Sequence, residues 1–462
     1  MDTGTTPNCG ILRRFTRPVH RLLLVAALVL LPMGGLTDQV GLFCLGLAAG
    51  AAIPECIARW RFLVTRPTIL LWIAWWILAF VSVAWSPDPT HAHQQGAWAL
   101  LAVPAMVPVI AQPRWWMYGL AAGVAGQAVI QILGWAGWIE GTPRHPFQVA
   151  AGFYHYAPNV ALWAFTSMLL TSVLVVSLRI WTWRIVILVL AAATAVGVVM
   201  TMNRSSWIIA SGGLVVVAIR WACSSHRPKG QWVWPTITVL LLGGILSTSF
   251  VQFKMSWRIE KSYLEVETFV ETPPTAPSHT LPTPPVPNPL SNASAATTKI
   301  ATATRPPVAD VKRFDSSFGK RVIWWHAGWE LLKDRPFIGH GAGSIRRSLA
   351  MKEAEMPSQW GAGVPDFITW NPHASLVATA IEQGGLGVLL LLAIAIGVAI
   401  GAWRRGRTCA ALIGLGPAWI GLLLFSLTHA VLLEPYTSVL VSILLVAALP
   451  SKEDPAKVHP AQ

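Results

Sequence analysis

The feature that most constrains this chain is a succession of apolar runs, each close to the thickness of a lipid bilayer. A membrane-crossing helix needs about 20 mostly apolar residues. Runs near 21–36, 38–58, 68–85, 96–111, 115–138, 158–178, 184–202, 205–222, 234–253, 376–402, 408–428 and 430–449 meet or approach that length. Only 12% of the 462 residues are charged, against roughly 25% in a soluble domain. The 25 Trp residues suit a chain with many membrane–water boundaries, where indoles concentrate. The expected fold is all-α: a polytopic transmembrane helix bundle of about twelve spans, with one long periplasmic loop region containing short helices.

The net charge of +14 follows topology and gives no sign of nucleic-acid binding. Lys and Arg gather in alternate short links: Arg13 to Arg21, Arg59 to Arg66, Arg114, Arg179 and Arg184, Arg220 to Lys229, and Arg404 to Arg407. The intervening links are nearly free of them, so both termini are expected in the cytoplasm and the long loop outside. The chain then divides into an N-terminal transmembrane bundle (1–253), a periplasmic loop (254–371), C-terminal transmembrane helices (372–450) and a cytoplasmic tail (451–462). The multi-pass protein is expected in a bacterial inner membrane. The five Cys (Cys9, Cys44, Cys56, Cys223, Cys409) are scattered outside the loop and form neither a disulfide framework nor a metal motif.

The loop is of two kinds. Residues 271–307 are rich in Pro, Thr, Ala and Ser; such a segment cannot bury a core and reads as an inserted spacer. Residues 315–356 read as helical. Ser316 or Ser317 can cap a helix whose apolar face is Val322, Trp325, Trp329 and Leu332, with Pro336 stopping it at Arg335. That Trp-rich face suits packing on the membrane or bundle, or binding a sugar. Gly339, Gly341 and Gly343 make a tight turn, and Ile345 to Met356 forms a second helix.

Two outer hairpins carry an Arg against the positive-inside bias: Arg144 and Arg204. Each suits an anion site for phosphate or carboxylate, or a side chain reaching out to lipid headgroups. Asn371-Pro372-His373 reads as a helix start, with Asn at the cap and Pro at the first helical position. His373 would then sit in the first turn, where the partial positive charge favours the neutral imidazole a general base requires. The alternative is a histidine that only bonds a loop carbonyl. No HExxH and no GxxxxGK[ST] occurs, so nothing points to a metal site or to nucleotide hydrolysis.

Read in order, several stretches resemble the O-antigen ligase and polymerase superfamily of bacterial membrane glycosyltransferases. They are Gly152-Phe153 to Pro158-Asn159, Asn203-Arg204-Ser205, and Arg321 opening a Trp-rich helix that ends in Lys333-Asp334-Arg335-Pro336-Phe337-Ile338-Gly339-His340-Gly341-Ala342-Gly343. His373-Ala374-Ser375-Leu376 and Glu382-Gln383-Gly384-Gly385-Leu386-Gly387 follow. The Pro-rich insert departs from the pattern, as does His340. The resemblance implies a GT-C-like bundle and an inverting transferase that needs neither metal nor cofactor. Its donor would be a glycan on undecaprenyl pyrophosphate and its acceptor lipid A-core or another glycan. It further implies that Arg204 and Arg321 hold the pyrophosphate and that His373 takes the acceptor's proton. Arg144 and Glu434, the latter in the last outer loop, are secondary candidates. An O-antigen ligase is the leading expectation. A repeat-unit polymerase or a protein O-glycosyltransferase shares the motifs, and a transporter of lipid-linked or anionic substrate is the alternative from another class.

Overall fold

The computed structural model describes residues 7–34, 36–88, 93–110, 112–138, 157–178, 180–201, 203–224, 233–252, 317–354, 374–430, 432 and 435–450. The described chain is helical, with no strand among these residues. The first six helices are α1 (Pro7–Leu30), α2 (Leu36–Ala58), the short α3 (Trp60–Val64), α4 (Pro67–Ser82), α5 (His93–Met106) and α6 (Pro113–Trp135). Then follow α7 (Ala157–Ser177), α8 (Trp181–Met200), α9 (Arg204–Ala222) and α10 (Val233–Gln252). The loop contributes α11 (Ser317–Asp334) and α12 (Ile345–Ala354). The chain closes with α13 (Ser375–Thr408), α14 (Leu415–Ser426) and α15 (Pro435–Ala447).

Among the described residues, eight helices are long and apolar enough to cross a membrane: α1, α2, α4, α6, α7, α8, α9 and α13. The other four expected spans fall on shorter apolar stretches, Ala99–Val109, Val233–Thr248, Ala410–Ser426 and Thr437–Ala447. The protein is therefore a polytopic helical membrane protein.

The bundle is built around α7. In its apolar window 89% of the residues are buried, against 33% in α1, α4, α9 and α13. A helix that is apolar all round belongs in the interior of a bundle, and α6, α8, α9, α14 and α15 pack about this one. On one flank α6 lies tight on α1. A Cβ on Gly123 would stand 2.5 Å from the Val29 carbonyl oxygen, and one on Gly119 3.3 Å from that of Val25. This four-residue glycine spacing lets two backbones touch where lipid offers no hydrophobic drive to associate.

One end of the bundle is basic. Arg17 and Arg59 pair with Glu55 at 3.3 and 2.8 Å. Arg220 donates to the carbonyls of Ile413 (2.7 Å) and Trp403 (3.1 Å), with its guanidinium 3.9 Å from the Trp403 ring centroid. The buried Arg405 donates to Ile110 O at 3.0 Å. These bonds satisfy arginines near the ends of α9 and α13 with carbonyls at the same end of the bundle.

The other end carries the described part of the long loop. Helix α11 stops at Asp334, as Pro336 dictates, and α12 is described from Ile345 to Ala354. The buried face of α11 differs from the expected one. Trp324, Ala327, Gly328 and Leu331 are buried, whereas Trp329 is 58% exposed. The face is rotated because Gly328 admits Val377 and Ile381 of α13 at close quarters. Close approach outweighs the larger apolar area of Trp329. The start of α13 also differs: Ala374 is extended (φ −152°, ψ 121°) and the helix begins at Ser375. The expected start at Pro372 is thus corrected, and His373 precedes the helix in sequence instead of occupying its first turn. The insert 271–307, and with it Arg144, His373 and Glu434, lies outside the described residues.

Candidate functional site

The site is assembled on the first ten residues of α13. At Gly384 this helix is broken, with φ 64° and ψ −162°. The break divides an outer piece, 375–383, from the long apolar remainder. Breaking a helix frees carbonyls that must find other donors when lipid or protein surrounds them. The glycine-rich turn after α11 supplies them. His340 N–H donates to Ile381 O at 2.7 Å and Gly341 N–H to Glu382 O at 2.8 Å. In return Gly385 N–H donates to Pro336 O at 2.7 Å. Gly339 and Gly384 meet backbone to backbone: a Cβ on Gly384 would stand 2.6 Å from Gly339 N. The buried Glu382 carboxylate accepts from Gly343 N–H at 2.9 Å, and Ser82 Oγ of α4 accepts from Ala342 N–H at 3.0 Å. His340, unusual at its position, caps α11 by bonding Leu331 O at 3.1 Å. Arg321 therefore rides on a helix that is clamped to α13 along its side and through the turn that follows it.

Arg204 arrives from another direction. Asn203 caps α9: its Oδ1 accepts from Ser206 N–H at 3.3 Å, and Ser206 Oγ donates to Asn203 O at 2.7 Å. Arg204 is thereby the first residue of the helix, half-buried. The other face of the same Asn amide donates from Nδ2 to His429 Nε2 at 3.1 Å. His429 is buried and lies flat on Phe425, with ring centroids 4.4 Å apart and an interplanar angle of 9°. Its backbone carbonyl accepts from Ser375 Oγ at 3.1 Å, and Ser375 Oγ accepts from Leu432 N–H at 3.2 Å. One turn after α14 thus joins the start of α9 to the start of α13. The first turns of α7 and α15 meet through Thr437 Oγ1 and Asn159 Oδ1 at 3.4 Å, and Leu432 leads towards α15.

Of the residues singled out from sequence, Arg204 and Arg321 are described, each half-buried and each on an element fastened to the outer piece of α13. His373 is two positions before Ser375, and Glu434 directly precedes α15. Helix starts at this end add partial positive charge, which favours an anionic group. Glu382, Ser82, His429 and the capping role of Asn203 were missed. The adjacent Gly384-Gly385 pair could have signalled the break, and a lone His in the apolar run FSLTHAVLL could have signalled the junction. Among the described residues no group of three or more His, Cys, Asp or Glu is placed to hold a metal ion.

An all-helical membrane bundle with two arginines fastened to one broken helix defines a class: a membrane protein whose polar chemistry gathers at one end. Residues 187–392 match the family model described as O-antigen ligase. The match covers a little under half of the chain and makes this part of it similar to the O-antigen ligases. The matched segment runs from α8 into α13 and contains Arg204, Arg321, His373 and Glu382. A comparison with curated proteins finds no match.

Proposed function

We propose that the protein is an O-antigen ligase. It transfers a glycan from undecaprenyl pyrophosphate to a lipid A-core acceptor at the periplasmic face of the inner membrane. The observation that carries this reading is the junction at His429, which ties the helix opened by Arg204 to the strand of chain that bears His373. In this reading Arg204 and Arg321 grip the diphosphate, for which a guanidinium fork is the suited donor. The acceptor hydroxyl oxygen attacks the anomeric carbon from the face opposite the diphosphate. The bond from that carbon to the diphosphate oxygen breaks with inversion, and undecaprenyl pyrophosphate leaves with its charge held by the two arginines. His373 takes the hydroxyl proton. The basic end of the bundle would face the cytoplasm with both termini, in keeping with the charge bias of the short links.

The break in α13 supports transfer over transport. Transporters use paired broken helices whose freed carbonyls line a substrate path. Here the carbonyls of Ile381 and Glu382 are occupied by loop amides, so the break anchors a loop. The test is product analysis with purified protein, undecaprenyl-pyrophosphate glycan and lipid A-core. A glycosylated lipid A-core with release of undecaprenyl pyrophosphate is the expected result. Growth of the glycan on its carrier instead would make the protein a polymerase, and no bond exchange would remove the transferase reading.

A further inference from the structure

The mechanism above uses no residue of the turn after α14, yet that turn holds the site together. Its centre, His429, is buried and has both ring nitrogens engaged. The direction of the bonds follows from the cap on α9. Asn203 Oδ1 is committed to Ser206 N–H, so the amide group that faces His429 is the NH2, which can only donate. Nε2 is therefore an acceptor and the ring proton sits on Nδ1, 3.0 Å from Thr428 Oγ1. Thr428 Oγ1 in turn reaches Phe425 O at 3.1 Å and Ser205 Oγ at 3.3 Å. The residues on both sides of Arg204 are thus held by consecutive residues of one turn: Asn203 by His429 and Ser205 by Thr428. The same turn is pinned to α13 by Ser375, two residues beyond His373.

We propose that His429 is a positioning residue. Through Asn203 it fixes where Arg204 stands relative to the chain leading into α13, and so sets the alignment of the diphosphate with the proton acceptor. This rests on the ligase reading above. Misalignment of reacting groups by about 1 Å can cost on the order of a hundredfold in rate, so loss of one such tether should be felt in turnover. A purely structural role would lower the yield of folded protein and leave the turnover of each folded molecule alone.

The experiment is a double-mutant cycle on purified, monodisperse protein assayed with undecaprenyl-pyrophosphate glycan and lipid A-core. His429→Ala removes the acceptor for the Asn203 amide. Asn203→Ser keeps a good helix cap but is too short to reach His429. Each should lower kcat about tenfold, and the double variant should fall no further because both break the same tether. The acceptor KM should not move. His429→Gln, whose side-chain oxygen can take the place of Nε2, should restore kcat to within about twofold of wild type. Wild-type turnover in both single variants, or additive losses in the double variant, would overturn the positioning role. If His429→Ala does not fold, Asn203→Ser and His429→Gln still decide the matter. Wild-type protein that transfers no glycan at all would instead overturn the ligase reading, a separate and recognisable outcome.

Discussion

The backbone amide of Gly343 donates to the carboxylate of Glu382 at 2.9 Å across the seam between the loop and the bundle. The buried Glu382 acceptor holds the loop in place, and its removal takes the partner from the half-buried Gly343 N–H, at a cost of about 1 kcal/mol. Glu382→Ala is therefore expected to lower the melting temperature in detergent, while Glu382→Gln, which keeps an acceptor oxygen, stays close to wild type. Thermal unfolding of the three proteins tests this; an alanine variant as stable as the glutamine variant would contradict it.

Gly384 and Gly46 make a sharper contrast. Gly384 has positive φ, and a Cβ there would stand 2.5 Å from the Phe337 carbonyl carbon, whereas one on Gly46 meets nothing within 4 Å. Gly384→Ala should loosen the loop and destabilise the protein by a few kcal/mol, the scale of a strained, overpacked contact. Gly46→Ala should be neutral within about 0.5 kcal/mol, as substitutions away from such features usually are. Limited proteolysis at the loop together with melting temperatures would separate the two.

Orientation is open to a direct assay. Cys223 is exposed near the basic end, and Arg347 is exposed on α12, where it bonds Pro87 O at 2.8 Å. In single-cysteine proteins in intact cells stripped of their outer membrane, a membrane-impermeant thiol reagent should label Arg347→Cys and spare Cys223 until the cells are opened. The reverse pattern would invert the proposed topology.

The composition of 271–307 argues that it carries no chemistry. Deleting 272–307 should leave glycan transfer within about threefold of wild type, since lengthening or shortening a flexible connection changes its closure free energy only slightly. A complete loss of transfer would give the insert a role in acceptor or cell-wall contact.

The helical bundle was legible because membrane helices announce themselves in windows of hydropathy, and each of the twelve apolar runs coincides with a helix or apolar helical stretch. The end of α11 was legible because Pro336 acts locally. What was not legible is tertiary. The buried face of α11 turned on how closely Gly328 could approach Val377, which no periodicity of apolar residues encodes. Hydropathy averaged straight through Gly384, so the break in α13 was lost in a long apolar run. The bond between Asn203 and His429 joins residues 226 apart in sequence, and each alone reads as an ordinary polar residue at a helix end. Arg204 stood out for a simpler reason, since an arginine in a tight outer hairpin beside membrane spans is rare enough to need a purpose; Arg321 entered only through the family resemblance.

The most direct test of the account is the rate at which undecaprenyl pyrophosphate is released in the presence of lipid A-core by wild type, Arg204→Ala, Arg321→Ala and His373→Ala. If these three residues form one site, each substitution should lower kcat at least about a hundredfold, the scale of losing a general base or a charge-stabilising donor. The variants should remain folded, with melting temperatures close to wild type. Full transfer activity in His373→Ala, or in either arginine variant, would contradict the account.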